Sequence, residues 1–65
     1  MRSTLDEAQK NIAQFMDDDA MIEVRVIDDG EHVATWTDDA LHAILLFESY
    51  KGKVPTSYRY ILTEV

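Results

Sequence analysis

Residues 21–36, MIEVRVIDDGEHVATW, decide the fold of this chain. Residues 21–27 alternate between apolar and charged side chains, the pattern of a half-buried strand. The Asp-Asp-Gly at residues 28–30 is typical of a tight turn, and residues 32–36 return as a second strand. The stretch therefore predicts an antiparallel hairpin.

The length of the hairpin loop decides which side chains share a face. A two-residue loop at Asp29-Gly30 would place Trp36 beside Glu23, which mixes apolar and charged side chains. A three-residue loop at 28–30, with Gly30 in the left-handed conformation, collects a better apolar face, and we expect this arrangement. It pairs Val26 with His32, Val24 with Ala34 and Ile22 with Trp36.

A helix is predicted on each side of the hairpin. The first begins with Thr4 as N-cap and Glu7 at capping-box spacing, and is expected to end within residues 17–19. The second has Thr37 as its cap, residues 40–50 as its body and Gly52 as its stop. Because it is apolar around much of its circumference, we expect it to pack on the sheet and on a second surface. Its inner edge is expected to consist of Leu41, Ile44, Leu45 and Phe47 or Glu48.

Residues 57–65 alternate again and predict a last strand, with Tyr58, Tyr60 and Leu62 on one face. The order of elements is then α-β-β-α-β, a small two-layer domain of the α+β class. With 65 residues the chain is too short for more than one domain, so we expect a single acidic domain over residues 1–65. A domain this small has a thin core, which leaves a homodimer possible.

The composition narrows the classes of partner. Thirteen Asp and Glu stand against six Lys and Arg, a net charge of −7, and there is no cysteine. Direct nucleic-acid binding is disfavoured because phosphate contacts need clustered cations, so a basic protein partner is expected. The longest apolar run, residues 43–47, is far below the roughly 20 residues of a membrane span. Without a signal-peptide pattern, the expected location is the cytoplasm.

Catalytic and metal-binding motifs are missing from the sequence. There is no glycine-rich phosphate loop and no glycine elbow around a nucleophile. The two histidines, His32 and His42, are not at the i, i+4 spacing of a helical zinc pair. We therefore expect no enzymatic activity, no cofactor and no metal.

The excess charge is concentrated in one segment. Residues 17–39 hold nine acids and one base, a net of −8, whereas the rest of the chain has a net of +1. These acids are predicted to form one partner-binding ridge along the hairpin, on the scale of several DNA phosphates. They are Asp17, Asp18, Asp19, Glu23, Asp28, Asp29, Glu31, Asp38 and Asp39.

Local structure accounts for only some of these acids. Asp38 and Asp39 suit the first turn of a helix, and residues 28–30 suit a turn. The triplet at residues 17–19 follows a helix and opposes its dipole, so local structure does not require it. Solubility is an alternative reason for the triplet.

In size, charge and organisation the whole chain resembles small phage-encoded inhibitors that mimic DNA, with acidic anti-CRISPR proteins the nearest group by type. That group shares no diagnostic motif. The resemblance implies competitive exclusion of DNA from a basic channel of a CRISPR surveillance complex in the cytoplasm of a bacterial host cell, with a Cas subunit as the partner. The chain is also similar to a phage inhibitor of uracil-DNA glycosylase in residues 28–30, Phe47-Glu48, Tyr50 and Gly52.

Two other interpretations remain open. An acidic antitoxin or immunity-type module would use the apolar helix 37–51 more than the acids, and substitution of Leu46 or Phe47 would then abolish binding. A structural homodimer would need the charge only for solubility. The three tyrosines, Tyr50, Tyr58 and Tyr60, cannot all be buried in so thin a domain, and one or more could form an interface patch.

Overall fold

The computed structural model describes residues 2–16 and 20–65. The α+β class and the order α-β-β-α-β of the five long elements are confirmed, and a two-residue strand at the start is added to them. In chain order the elements are β1 (Arg2–Ser3), α1 (Leu5–Ala13), β2 (Met21–Asp28), β3 (Glu31–Asp39), α2 (Ala40–Tyr50) and β4 (Tyr58–Glu64).

The sheet has the order β1-β4-β2-β3, and its strands are antiparallel. Both helices lie on one face of it, so the domain has two layers. We call the helix-covered side the inner face and the opposite side the outer face. β2 lies between β3 and β4, and its alternation buries Ile22, Val24 and Val26 on one face, as predicted.

The core lies between the inner face and the two helices. The Phe47 ring is fully buried and meets the Tyr60 ring edge-on at 5.0 Å and the Trp36 ring at 6.2 Å. Such tilted aromatic pairs add to the free energy gained from burial. The buried apolar residues are Ala8, Ile12, Ile22, Val24, Val26, Ala40, Ala43, Phe47 and Tyr60.

The predicted hairpin register is wrong. The loop has two residues, Asp29 and Gly30, with positive φ values of 50° and 83°. This is the backbone of a type I′ turn, which matches the twist of antiparallel strands. A bulge then places the extra residue Val33 in β3.

The bulge has the same effect on the faces of β3 as the predicted three-residue loop would have had. It shifts the register by one residue, so that Trp36 lies opposite Val24 and joins the apolar inner face. Periodicity alone did not show that an irregularity inside β3 could replace a longer turn. The observed pairs beyond the bulge are Val26 with Ala34, Val24 with Trp36 and Ile22 with Asp38.

The first helix is shorter than predicted. Thr4 is its N-cap, although its side chain makes no capping hydrogen bond, and the helix ends at Ala13 instead of within residues 17–19. The amides of Gln14 and Phe15 donate to the carbonyls three residues before them, which tightens and closes the last turn.

The second helix begins later than predicted. Its N-cap is Asp39 and not Thr37, because β3 continues through Thr37, which pairs with Glu23 of β2. Its buried side chains are Ala40, Ala43 and Phe47, whereas Leu41 and Leu45 of the predicted inner edge are more than half exposed.

Neither helix of the described residues is long and apolar enough to cross a membrane.

Candidate interaction surface

The hairpin tip carries three carboxylates, those of Asp28, Asp29 and Glu31. The side chains of Asp29 and Glu31 are exposed, and Asp28 is half-buried and accepts a hydrogen bond of 2.8 Å from the Ser57 hydroxyl. Among the described residues no cationic side chain forms an ion pair with any of the three. The tip is therefore a site of uncompensated negative charge.

The hairpin base carries Asp38 and Asp39, and here the carboxylates have partners. Asp39 Oδ1 accepts a hydrogen bond of 2.9 Å from the backbone amide of His42, which makes Asp39 the N-cap of α2. The His42 imidazole Nδ1 lies 2.8 Å from Asp39 Oδ2 and 3.3 Å from Asp38 Oδ1. The base thus combines a helix cap with an imidazole shared by two carboxylates.

These contacts shift the pKa values of both partners. The negative charge of Asp39, with its hydrogen bond and with Asp38, raises the pKa of His42 above its usual 6.5. The backbone hydrogen bond from His42 lowers the pKa of Asp39 below its usual 3.8. Both shifts favour the charged forms, so protonated His42 compensates part of the negative charge at the base.

The two carboxylates and the imidazole at the hairpin base also form the described cluster whose geometry could hold a metal ion. One donor atom from each of Asp38, Asp39 and His42 lies within 4.8 Å of the others. Both oxygens of Asp39 are already used by the amide and imidazole of His42, however. Helix capping therefore explains the arrangement without a ligand.

Glu23 lies along the hairpin between its tip and its base and has a cationic partner of its own. It is on the outer face, where its Oε1 accepts a hydrogen bond of 2.7 Å from Arg25 Nε. Asp28 and Asp38 have the opposite parity and lie on the inner side of the strands, at the two ends of the hairpin.

The described acids do not form one continuous ridge. They form a tip group (Asp28, Asp29 and Glu31) and a base group (Asp38 and Asp39), and Glu23 lies between them on the outer face beside Arg25. Glu31 and Asp38 pair with Asp28 and Ile22 of β2, which are six residue steps apart, about 20 Å at strand rise. The triplet Asp17, Asp18 and Asp19 lies outside the described residues.

Besides the acids, two apolar surfaces are candidate contact sites for a partner. On α2, Leu41 and Leu45 are 54% and 56% exposed, and Met16 lines a shallow depression with Leu41. The i, i+4 spacing of the two leucines correctly predicts that they share a face of α2. The prediction that this face is buried is wrong. By contrast Phe47, one of the two residues expected to reach a partner from this helix, is fully buried.

The second apolar surface is a groove on the inner face beside β3, with a volume of about 140 Å³. Tyr50 and Tyr58 form part of its wall with the buried Tyr60, so the three tyrosines meet at one place. The indole Nε1 of Trp36 is buried without a hydrogen-bond partner among the described residues. We call this the aromatic groove; it is lined by Val26, Val33, Ala34, Trp36, Tyr50, Val54, Tyr58 and Tyr60.

Comparison of the chain with protein-family models, with curated proteins and with solved structures finds no match.

Proposed function

We propose that this protein is a non-enzymatic inhibitor that binds a basic, nucleic-acid-binding surface of a host protein and excludes DNA from it. The observation that carries the proposal is the tip group, where the described structure offers the carboxylates no cationic partner. The target we propose first is a CRISPR surveillance complex. Another DNA-acting enzyme, such as uracil-DNA glycosylase, would offer the same kind of surface.

The physical mechanism is electrostatic attraction followed by local anchoring. A net charge of −7 on 65 residues attracts a Lys- and Arg-lined channel over about a Debye length, roughly 8 Å at physiological salt. Such attraction raises the association rate more than it slows dissociation. Apolar contacts must then hold the complex, and the aromatic groove and the α2 leucines are available for them.

The test is affinity capture from a bacterial lysate at two salt concentrations, with the captured protein identified by mass spectrometry. A variant with Asp28→Asn, Asp29→Asn and Glu31→Gln should capture at least about tenfold less of the partner at low salt. The matched control carries Asp6→Asn, Glu7→Gln and Glu64→Gln, three exposed acids outside the hairpin tip. It has the same net charge as the tip variant and should retain most of the partner.

Equal losses in the two variants would mean that only net charge matters. Unchanged capture by the tip variant, or a captured partner without a basic surface, would contradict the proposal.

A second function is favoured by the exposed leucines of α2. In an antitoxin- or immunity-type module, Leu41 and Leu45 would form the centre of the interface. Leu41→Ser with Leu45→Ser should then abolish capture without loss of helical circular dichroism, since neither side chain is in the core. Phe47 does not serve for this test because its substitution would damage the fold itself.

A further inference from the structure

β3 is one of the two edge strands of the sheet, and the longer of them. In the described part of the chain it pairs with β2 alone, and all of residues 31–37 except Trp36 are exposed. Proteins usually protect such edges with short strands, lysines, prolines or bulges, because unpaired amides and carbonyls can pair with another chain. β3 has nine residues and neither lysine nor proline, and its irregularity is the bulge at Val33. Residues 34–39 beyond the bulge form a regular strand with an open edge.

The charge of β3 indicates what could pair with this edge. Glu31 lies at one end of the strand and Asp38 and Asp39 at the other, and the strand contains no Lys or Arg. A strand of about seven residues laid along it would span roughly 20 Å between its first and last Cα atoms and meet carboxylates at both ends. Cations in the incoming strand would therefore be favoured.

The same charges disfavour a second copy of this chain as the occupant. Antiparallel pairing of two β3 strands would bring Glu31 of one copy towards Asp38 and Asp39 of the other. Like charges opposite each other destabilise a strand pair.

The aromatic groove offers a place for one side chain of an added strand. Neighbours across a strand pair share a face, so a strand beside β3 would direct every second side chain to the inner face, next to Ala34 and Trp36. The groove lies there, and its volume of about 140 Å³ is close to that of cavities that accept a benzene-sized group. Pockets for alternate side chains provide specificity when a peptide extends a sheet.

We propose that the open edge of β3 binds an extended basic segment of a partner protein as an added strand, with one apolar side chain of that segment in the aromatic groove. This deepens the proposed function and rests on it for the basic character of the partner. It specifies the contact: main-chain hydrogen bonds between β3 and the partner segment, in addition to charge attraction.

The probe is the blocked peptide acetyl-Lys-Thr-Val-Thr-Val-Thr-Lys-amide, in which the lysines and valines share one face of a strand, as Glu31, Asp38 and the aromatic groove do. It is titrated into the full chain, labelled with ¹⁵N. Shifts are expected in the amides of residues 34–37 and in the indole signal of Trp36, the single tryptophan. Two further peptides carry N-methyl groups either on all the threonine amides or on all the lysine and valine amides.

N-methylation separates strand pairing from charge attraction because it leaves the charge unchanged. Alternate amides of a strand point to the same edge, so a strand that pairs through one edge loses affinity with one methylation pattern and keeps it with the other. We expect a loss of at least about tenfold for one peptide only. As a charge control, Glu31→Gln should weaken binding of the unmethylated peptide more than Glu7→Gln, which makes the same change on α1.

The outcomes distinguish this inference from the proposed function. Equal binding of all three peptides, or absence of any binding at low salt, would overturn strand addition even if lysate capture still yields a basic partner. Binding lost with one methylation pattern would support strand addition even if capture yields no basic partner, in which case the proposed function fails. A second copy on β3 would appear as a concentration-dependent dimer by light scattering that the peptide dissociates, and would overturn the choice of occupant.

Discussion

The tip group and the base group of the hairpin contain the same kind of side chain in opposite situations. At the base, Asp39 caps α2 and shares His42 with Asp38, so its charge stabilises the fold. At the tip, Asp29 and Glu31 are exposed and have no ion pair among the described residues. Negative charge at the base is thus explained by local structure, and negative charge at the tip remains available for a partner. A count of acids along the sequence does not separate the two.

The largest expected effect on stability concerns the backbone of the tip. Gly30 has φ of 83°, and a Cβ added there would meet no atom within 4 Å, so Gly30→Ala has a conformational cost without a clash. We expect a loss of about 1–2 kcal/mol in the free energy of unfolding, measured by urea denaturation. Gly30→Asn is the control and should lose less, because Asn tolerates the left-handed conformation. Equal stability of Gly30→Ala and the parent would contradict the type I′ turn.

At the base, removal of the helix cap should cost less than the turn substitution. Asp39→Ala leaves the amide of His42 without its acceptor and should lower the free energy of unfolding by about 1 kcal/mol. In a domain of this size this corresponds to a Tm lower by roughly 4–8 °C. Asp39→Ser can still cap and should recover most of the loss. If Thr37 were the cap, Thr37→Ala would show the larger effect.

Neutralising the tip should change stability much less than altering the base. Asp29→Asn with Glu31→Gln removes no described ion pair, so we expect a change within about 0.5 kcal/mol in thermal or urea unfolding. The comparison with Asp39→Ala is the informative one. A destabilisation as large as that of the lost cap would mean that the tip carboxylates have a structural role, and the distinction between the two groups would fail.

The smallest expected effect is a pH dependence confined to the base. The raised pKa of His42 stabilises the fold at pH values below its unfolded pKa of about 6.5, and this contribution is lost as the pH rises through the folded pKa. The lowered pKa of Asp39 contributes above about 3.8 and is lost as the pH falls through its folded value. The two contributions are therefore complete together between about pH 4 and 6.5.

An NMR titration of the His42 ring measures this directly. Asp39→Asn should lower the pKa of His42, because the negative charge of Asp39 is the largest cause of its rise. The stability difference between pH 5.5 and pH 8.5 should also shrink in His42→Gln. An unchanged His42 pKa in Asp39→Asn would show that the imidazole does not depend on the base carboxylate.

Patterns that repeat along the chain were predictable, whereas single positions within them often were not. The strand alternation of residues 21–27 and the Asp-Asp-Gly turn signal depend on local chemistry and predicted the hairpin correctly, but not its two-residue loop. The residue at which α2 begins could not be predicted in this way, because Thr37, Asp38 and Asp39 are all suitable N-caps. Because Thr37 pairs with Glu23 of β2, Thr37 remains part of β3, and Asp39 is the N-cap of α2.

The buried side of α2 was mispredicted for a related reason. Since the helix is apolar on most of its circumference, a 3.6-residue period does not choose one stripe over another. Contacts with α1 and the sheet decide which side of α2 is buried, and the buried residues Ala40 and Ala43 on that side are small. The larger Leu41 and Leu45 are left exposed.

The sequence by itself determined the α+β class, the hairpin and the concentration of negative charge in residues 17–39, because each depends on neighbours along the chain. Only the tertiary structure decided which acids are compensated and which surfaces are open. The bulge at Val33 sets the face of every residue after it in β3, and the sheet order leaves β3 at the edge. Both depend on pairing between residues distant in the sequence, and a shift of one residue exchanges the two faces of a strand.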